Sequence, residues 1–369
     1  MRTYGTGNLW LRKSKKHLDG EFWIRYRDAA GRMRAENSGF CLCHDKRAEA
    51  SAERLLDKRL GEVQTGTLPS PKAAKALVED LAKALLAARR VALLRKIPEG
   101  LPAPTRAWRE RAAAKLIADA ERRWNVNLKA KFGDRKASLI TTADLNEYII
   151  ERNKAGAKNA TINREMAFLR RAFKMAYDAR PRLVPDVPAF PPKLPESPRL
   201  GFIEDKAFQK MHAAIEEPGL AAMILTAYRL GFRLSELKNL LVLQVSNGWI
   251  TLWAGTTKNS KARKVAMPED VREAVEACCD GKQPDAHVFT WPSGKPIHDF
   301  RVAWAKACKA AGAAGLTFHD LRRSATRNIM RKGISATVAM KITGHLTRAV
   351  FDAYDVTADQ DLLDAASQI

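Results

Sequence analysis

The sequence predicts a mainly α-helical protein with small β-sheets. It is organised as an N-terminal sheet-plus-helix module, a helical domain and a mixed α/β domain. Three observations carry that reading. Apolar residues recur at helical spacing through most of the chain, as in Leu77, Leu81 and Leu85. Runs rich in β-forming residues are confined to the first 66 residues and to the stretch from Trp249 to Met267. Seven of the 17 prolines lie between residues 181 and 198, a density that favours an extended, hydrogen-bond-poor linker.

Residues 1–66 form the first module. Phe22 to Arg27 reads as a strand, Asp28-Ala29-Ala30-Gly31 as a turn into Arg32-Met33-Arg34, and Phe40 to Cys43 as a third strand. Asp45 is placed to cap a helix running from Lys46 to about Leu60. Arg25, Arg27, Arg32 and Arg34 put cations on two neighbouring strands. Such a ribbon suits a DNA groove, and it equally suits a solvated edge guarded against aggregation. Pro69-Ser70-Pro71 breaks the chain, and residues 67–104 form a helical linker that ends at Pro98, Pro102 and Pro104.

Residues 105–180 read as a helical domain. Trp108, Leu116 and Ile117 mark one helix. Leu145, Tyr148 and Ile149 mark a second, with Thr142 as its cap. Ile162, Met166, Leu169, Phe173 and Ala176 mark a third, with Asn159 as its cap. The third helix carries Arg164, Arg170, Arg171 and Lys174. Arg171 and Lys174 share a face suited to backbone phosphates, or simply to water. After the linker at 181–198, residues 199–369 form the mixed domain. Leu220 to Leu230 reads as a buried helix that Gly231 ends just before Arg233. Trp249 to Trp253 and Lys264 to Met267 read as two strands joined by the basic turn Gly255 to Lys261.

Lys and Arg total 64 against 41 Asp and Glu, a formal charge of +23. Self-repulsion on that scale makes nucleic acid the leading partner. The five Cys are odd in number and include no CxxC pair, which argues against a disulfide framework. Cys41-Leu42-Cys43-His44 has no second ligand pair at zinc spacing, so no metal is expected. An acidic cluster at metal spacing and a GxxxxGK[ST] motif are both lacking, which turns the reading away from a metal-dependent nuclease and from a P-loop ATPase. No apolar h-region opens the chain and no run of 18 apolar residues occurs. A cytoplasmic, nucleoid-associated protein with no membrane partner is therefore the expectation.

The residues that carry chemistry lie near the C-terminus. Arg233 and Glu236 stand at i, i+3 on a helix start, and so do His319 and Arg322, with Asp320 between the latter two. Two guanidinium forks can hold the non-bridging oxygens of a phosphate and oppose the charge that builds in its transition state. Nine residues along one straight helix would put His345 and Tyr354 on opposite faces, so the chain must break between them for both to serve one site. Gly344 and Thr347 supply that break. A free tyrosine has a pKa of about 10 and is a poor nucleophile until nearby arginine charges stabilise the phenolate.

Gly231-Phe232-Arg233-Leu234-Ser235-Glu236-Leu237, His319-Asp320-Leu321-Arg322, and Gly344-His345 followed nine residues later by Tyr354 together resemble the motif boxes of the tyrosine recombinases, or phage-type integrases. The resemblance covers roughly residues 105–369. It implies a helical core-binding (SAM-like) domain and a tyrosine-recombinase catalytic domain clamped around double-stranded DNA at attachment-type sites. It implies Arg233, Lys258, His319, Arg322, His345 and Tyr354 as catalytic residues, with Glu236 and Asp320 in support and no cofactor. Lys258 sits where the family's hairpin lysine belongs, with Lys261 and Lys264 close by; Ala266 replaces a common proline. Arg25, Arg27, Arg164, Arg171, Lys174 and Lys261 are DNA-contact candidates. Four protomers would exchange strands through a Holliday junction, with room for an accessory DNA-bending or directionality protein. The N-terminal sheet resembles arm-binding modules. Leu362, Leu363 and Ile369 would dock on a neighbouring protomer or on their own domain. A type IB topoisomerase and a DNA-binding regulator with a dead site are the rival readings.

Overall fold

The structure is a computed structural model that describes residues 7–13, 19–28, 31–42, 46–68, 73–196, 201–254, 262–352 and 366. It divides into two units, Met1–Ala92 with Lys115–Glu196, and Leu93–Ala114 with Ser197–Ile369.

The first unit opens with an antiparallel sheet of β1 (Asn8–Arg12), β2 (Glu21–Arg27) and β3 (Met33–Cys41), in that order. Alternation decides its two faces. Phe22, Ile24 and Tyr26 are buried on the side of α1 (Ala48–Gln64), whose Ala48, Ala52 and Leu56 are buried with them. Trp23, Arg25 and Arg27 point the other way. Strand β1 was not expected; it adds Trp10 opposite Trp23. The expected break before Phe40 is absent. Ser38 donates to Phe22 O at 2.6 Å, and a bulge between Glu21 and Trp23 absorbs the irregularity, so one nine-residue strand spans the region. Helix α1 starts at Ala48 behind Arg47 and runs past Leu60 to Gln64; Asp45 lies outside the described residues. Cys41 is disulfide-bonded, whereas Cys278, Cys279 and Cys308 are free thiols.

The helical part of this unit comprises α2 (Val78–Leu94), α3 (Ala103–Arg123, divided between the units), a π-turn at Trp124–Leu128, α4 (Lys129–Phe132), α5 (Thr142–Lys154) and α6 (Asn159–Asp178). Leu81, Leu85, Trp124, Phe132, Tyr148, Leu169 and Phe173 share its core. The cap of α5 is Thr141, one residue earlier than expected, because its hydroxyl accepts from Asp144 N while Asp144 accepts from Thr141 N. Asn159 likewise stands inside α6 rather than capping it. The proline-rich stretch is extended but not loose. Val184 is fully buried, Thr142 donates to Ala189 O, and Asn163 donates to Leu194 O. Side chains of the helices supply the hydrogen bonds that the prolines cannot make to one another.

The second unit contains α7 (Asp205–Ala213), α8 (Pro218–Leu230), α9 (Leu234–Lys238), α10 (Glu269–Cys279), α11 (Arg301–Ala310), α12 (Phe318–Arg331), α13 (Ala336–Thr343) and α14 (Arg348–Asp352). Its antiparallel sheet is β4 (Val245–Ser246), β5 (Trp249–Leu252) and β6 (Arg263–Ala266). Helix α8 is the axis of the core, with α10 and α12 packed against it. The turn between β5 and β6, which carries Lys258 and Lys261, lies outside the described residues, and so do Tyr354, Leu362, Leu363 and Ile369. No described helix is long and apolar enough to cross a membrane.

Candidate active site

Two glycines in the left-handed conformation bring the site together. Gly231 ends α8 at φ +67° and turns the chain so that Arg233 begins α9. A Cβ there would be strained, and it would stand 3.1 Å from Thr343 and 3.2 Å from Ala325. Gly344 ends α13 at φ +76° and turns the chain into His345. Thr347 follows, and α14 begins with its Phe351 N–H bonded to Thr347 O at 3.1 Å. The break required between His345 and the residues beyond is therefore present.

Arg322 is the deepest cation, 2% exposed. Its Nη1 donates to Gly231 O at 2.7 Å and also to Thr343 O, so one guanidinium ties together the ends of α8 and α13. Its Nε donates to His345 Nε2 at 3.2 Å. Because an arginine can only donate, that ring nitrogen accepts and Nδ1 carries the proton. Nδ1–H then donates to Thr343 Oγ1 at 2.8 Å, whose hydroxyl donates to Ala339 O at 2.8 Å. Burial, followed by the charges of Arg322, Arg233 and Arg263, pushes the pKa of His345 down to about 3. His345 is thus a neutral ring of fixed tautomer that orients Arg322.

Arg233 is held by Glu236, a carboxylate whose side chain is 1% exposed. Glu236 Oε1 accepts from Arg233 Nη1 at 2.9 Å, and Oε2 accepts from the Arg233 backbone N–H at 2.9 Å. Arg233 Nη2 donates to Gly344 O at 3.1 Å. The carboxylate also accepts from Arg263 Nη2 at 2.8 Å. His319 stands at the cleft on the first turn of α12. Partial burial, then the charges of Arg322 and Arg323, holds its pKa below the usual histidine range. Asp320 has a different place. It caps α12 through Thr317 N and Oγ1, both at 2.7 Å, and pairs with Arg323 at 2.9 Å.

Arg233, His319, Arg322 and His345 line one cleft of about 880 Å³, together with Trp108, Lys238 and His298. Three guanidinium groups and one carboxylate leave the neighbourhood net positive, which is what a phosphodiester needs. Residues 202–360 match the family model described as "Phage integrase family".

Other likenesses are more distant. A tyrosine recombinase of Thermosipho africanus (strain TCF52B) is 29% identical over 146 residues, 38% of this chain and 51% of that protein. The chain thus spans about half the length of that relative. Among solved structures, a lambda integrase tetramer bound to a Holliday junction aligns with a TM-score of 0.53 at 16% identity, over 97% of this chain and 99% of the other. The Tn1549 transposon integrase in complex with circular intermediate DNA aligns with a TM-score of 0.52 at 17% identity, over 79% of this chain and 99% of the other. These likenesses establish the fold as that of the tyrosine-recombinase integrases.

The remaining candidates have separate surroundings. Arg25 lies over the Trp10 ring at 5.0 Å, and Arg27 donates to Gly31 O at 2.8 Å. Arg164 lines a small cleft of about 300 Å³ with Arg122 and Arg123. Arg171 and Lys174 are exposed on α6, where Lys174 pairs with Asp178 at 2.8 Å. The residue that sequence reasoning missed is Arg263. A signal was present: it shares the inward face of β6 with buried Val265, and an arginine on an inward face requires an anion.

Proposed function

We propose that the protein is a site-specific DNA recombinase that cuts and rejoins strands through a 3′-phosphotyrosyl intermediate. The observation that carries the reading is the convergence of Arg233, His319, Arg322 and His345 on one cationic cleft within residues 202–360. Arg233 and Arg322 hold the non-bridging oxygens of the scissile phosphate, His319 donates to it, and His345 keeps Arg322 oriented. The Tyr354 oxygen attacks phosphorus and passes its proton to solvent water. The bond to the 5′-oxygen breaks, and Lys258 protonates that leaving oxygen. The ester keeps the energy of the broken bond, so the 5′-hydroxyl of an incoming strand can attack it, reform the phosphodiester and release Tyr354. No cofactor takes part.

The substrate is double-stranded DNA with attachment-type sites on a phage or other mobile element, worked on by four protomers. In the domain reading, residues 1–66 are an arm-type DNA-binding module joined by 67–104 to the core-binding domain 105–180, with the linker 181–198 leading to the catalytic domain 199–369. The open face of the N-terminal sheet supports the first assignment: Arg25 and Arg12 lie over Trp10 and Trp23 there. Arg164, Arg171, Lys174 and Lys261 are proposed phosphate contacts. The integrase likeness favours strand exchange over a topoisomerase or a regulator.

A nicked suicide duplex incubated in EDTA tests the reading. The wild-type protein should form a covalent adduct and Tyr354→Phe should bind the duplex without forming one. Cleavage by Tyr354→Phe would remove the nucleophile assignment, and a requirement for divalent metal would remove the mechanism.

A further inference from the structure

Arg263 belongs to none of the motif boxes, yet it is built into the site more tightly than any surface cation. Its side chain is 11% exposed. Nη2 meets Glu236 Oε2 at 2.8 Å and Nη1 lies 3.5 Å from Oε1. The guanidinium stands over the Phe232 ring at 4.7 Å. On its other side is Gly344: a Cβ built there would overlap Arg263 Nη1. The absence of a side chain at 344 is thus what makes room for Arg263.

Glu236 consequently serves two cations with one carboxylate. Both of its oxygens are engaged by Arg233 and both face Arg263. Loss of Arg263 would leave Glu236 free to swing with Arg233 and would open space beside Gly344, whose carbonyl holds Arg233 Nη2 at 3.1 Å. The hydrogen bonds that hold Arg233, two to Glu236 and one to Gly344 O, therefore all run to groups that adjoin Arg263, a residue that does not line the 880 Å³ cleft itself. Burying a guanidinium costs several kcal/mol of desolvation, which a purely decorative strand cation would avoid by facing water.

We propose that Arg263 is a positioning residue for strand cleavage, acting through Glu236 and Gly344 to fix Arg233 against the phosphate. The inference rests on the reading given under Proposed function, and it assigns Arg263 no contact with DNA.

The test uses the full-length protein and two suicide duplexes. One carries an ordinary scissile phosphate. The other carries a methylphosphonate, whose methyl group replaces a non-bridging oxygen and removes the charge that Arg233 neutralises. Arg263→Ala should lower single-turnover cleavage of the phosphate roughly 100-fold, the scale of losing one oriented donor to the transition state. Affinity for the duplex should stay within about threefold, because a residue acting on the transition state separates the two measurements. On the methylphosphonate the deficit relative to wild type should shrink to less than about tenfold, following the pattern of Arg233→Ala. Arg263→Lys, which keeps the charge but not the fork, should fall between, and it decides the matter on the same two duplexes if Arg263→Ala does not fold. Cleavage within about twofold of wild type, or an equal deficit on both duplexes, overturns the proposal. A wild-type protein that forms no adduct with the phosphate duplex overturns the underlying reading and this inference with it, whereas a normal wild-type adduct confines any failure to Arg263.

Discussion

Arg322 and Arg25 show two ways of keeping a cation in a protein. Arg322 is 2% exposed, donates to Gly231 O and Thr343 O, and orients against His345. Arg25 is exposed on an open sheet face and lies over the Trp10 ring at 5.0 Å. The first arrangement carries a desolvation cost that only a built network of acceptors can offset. The second costs little, because water solvates the charge and the aromatic ring adds about 0.5–1 kcal/mol. The difference teaches where precision resides in this chain. In the cleft the charges are buried and mutually tied, whereas on the sheet they are exposed to water.

The largest expected effect is at Arg322. Arg322→Ala should abolish detectable adduct formation and also lower stability by several kcal/mol, since two buried carbonyls each lose a donor at about 1–3 kcal/mol. Arg25→Ala should leave thermal denaturation within about 0.5 kcal/mol of wild type. Equal melting behaviour of the two variants would dissolve the contrast.

The glycines sharpen it. Gly344 and Gly39 have nearly the same backbone conformation, φ +76° and +73°. A Cβ at Gly344 would overlap Arg263, whereas one at Gly39 would meet nothing within 4 Å. Gly39→Ala should cost only the conformational strain of about 1–2 kcal/mol. Gly344→Ala should cost clearly more and should slow cleavage as well. Chemical denaturation of the two variants compares them, and indistinguishable losses would mean that the neighbourhood of Arg263 is not tightly packed.

Acid comes next. His345 is held down to about 3 in the folded protein against an ordinary 6.5. Above about 6.5 the ring is neutral in both states and its contribution is complete. As pH falls toward 3 the unfolded chain binds a proton that the folded chain refuses, so stability is lost. His345→Gln should flatten that slope by at most one proton, about 1.4 kcal/mol per pH unit. Denaturant midpoints measured from pH 7 to pH 4 check this, and an unchanged slope removes His345 as its source.

The smallest effect belongs to the sheet. Arg25→Ala should weaken DNA binding modestly and reduce the slope of log affinity against log salt by about 0.9 if the residue meets one phosphate. Binding titrations at several salt concentrations measure it. An unchanged slope would place Arg25 among the solvated edge charges.

Much of the site was legible because its pairs are local. Arg233 with Glu236, and His319 with Arg322, sit three residues apart on helix starts, so spacing alone puts each pair on one face. Gly344 signalled the turn after α13. The ties that complete the site were not legible, because they are long-range. Arg263 meets a carboxylate 27 residues upstream, and Arg322 meets a carbonyl 91 residues upstream. The fold shows the same division. The long periodic helices and the two hairpin strands around Trp249 and Val265 followed from pattern. Strand β1 did not, because five residues make a weak signal until Trp10 finds Trp23 across the sheet. The proline-rich stretch was readable as extended, but its docking through Thr142 and Asn163 depends on side chains elsewhere.

The most direct test of the account is to trap the wild-type adduct on a suicide duplex, digest it with protease and identify both ends of the covalent bond by mass spectrometry. The account predicts a single nucleotidyl peptide containing Tyr354, linked through a 3′-phosphate and leaving a free 5′-hydroxyl. A linkage to another residue, or a 5′-phosphate attached to protein, would contradict it.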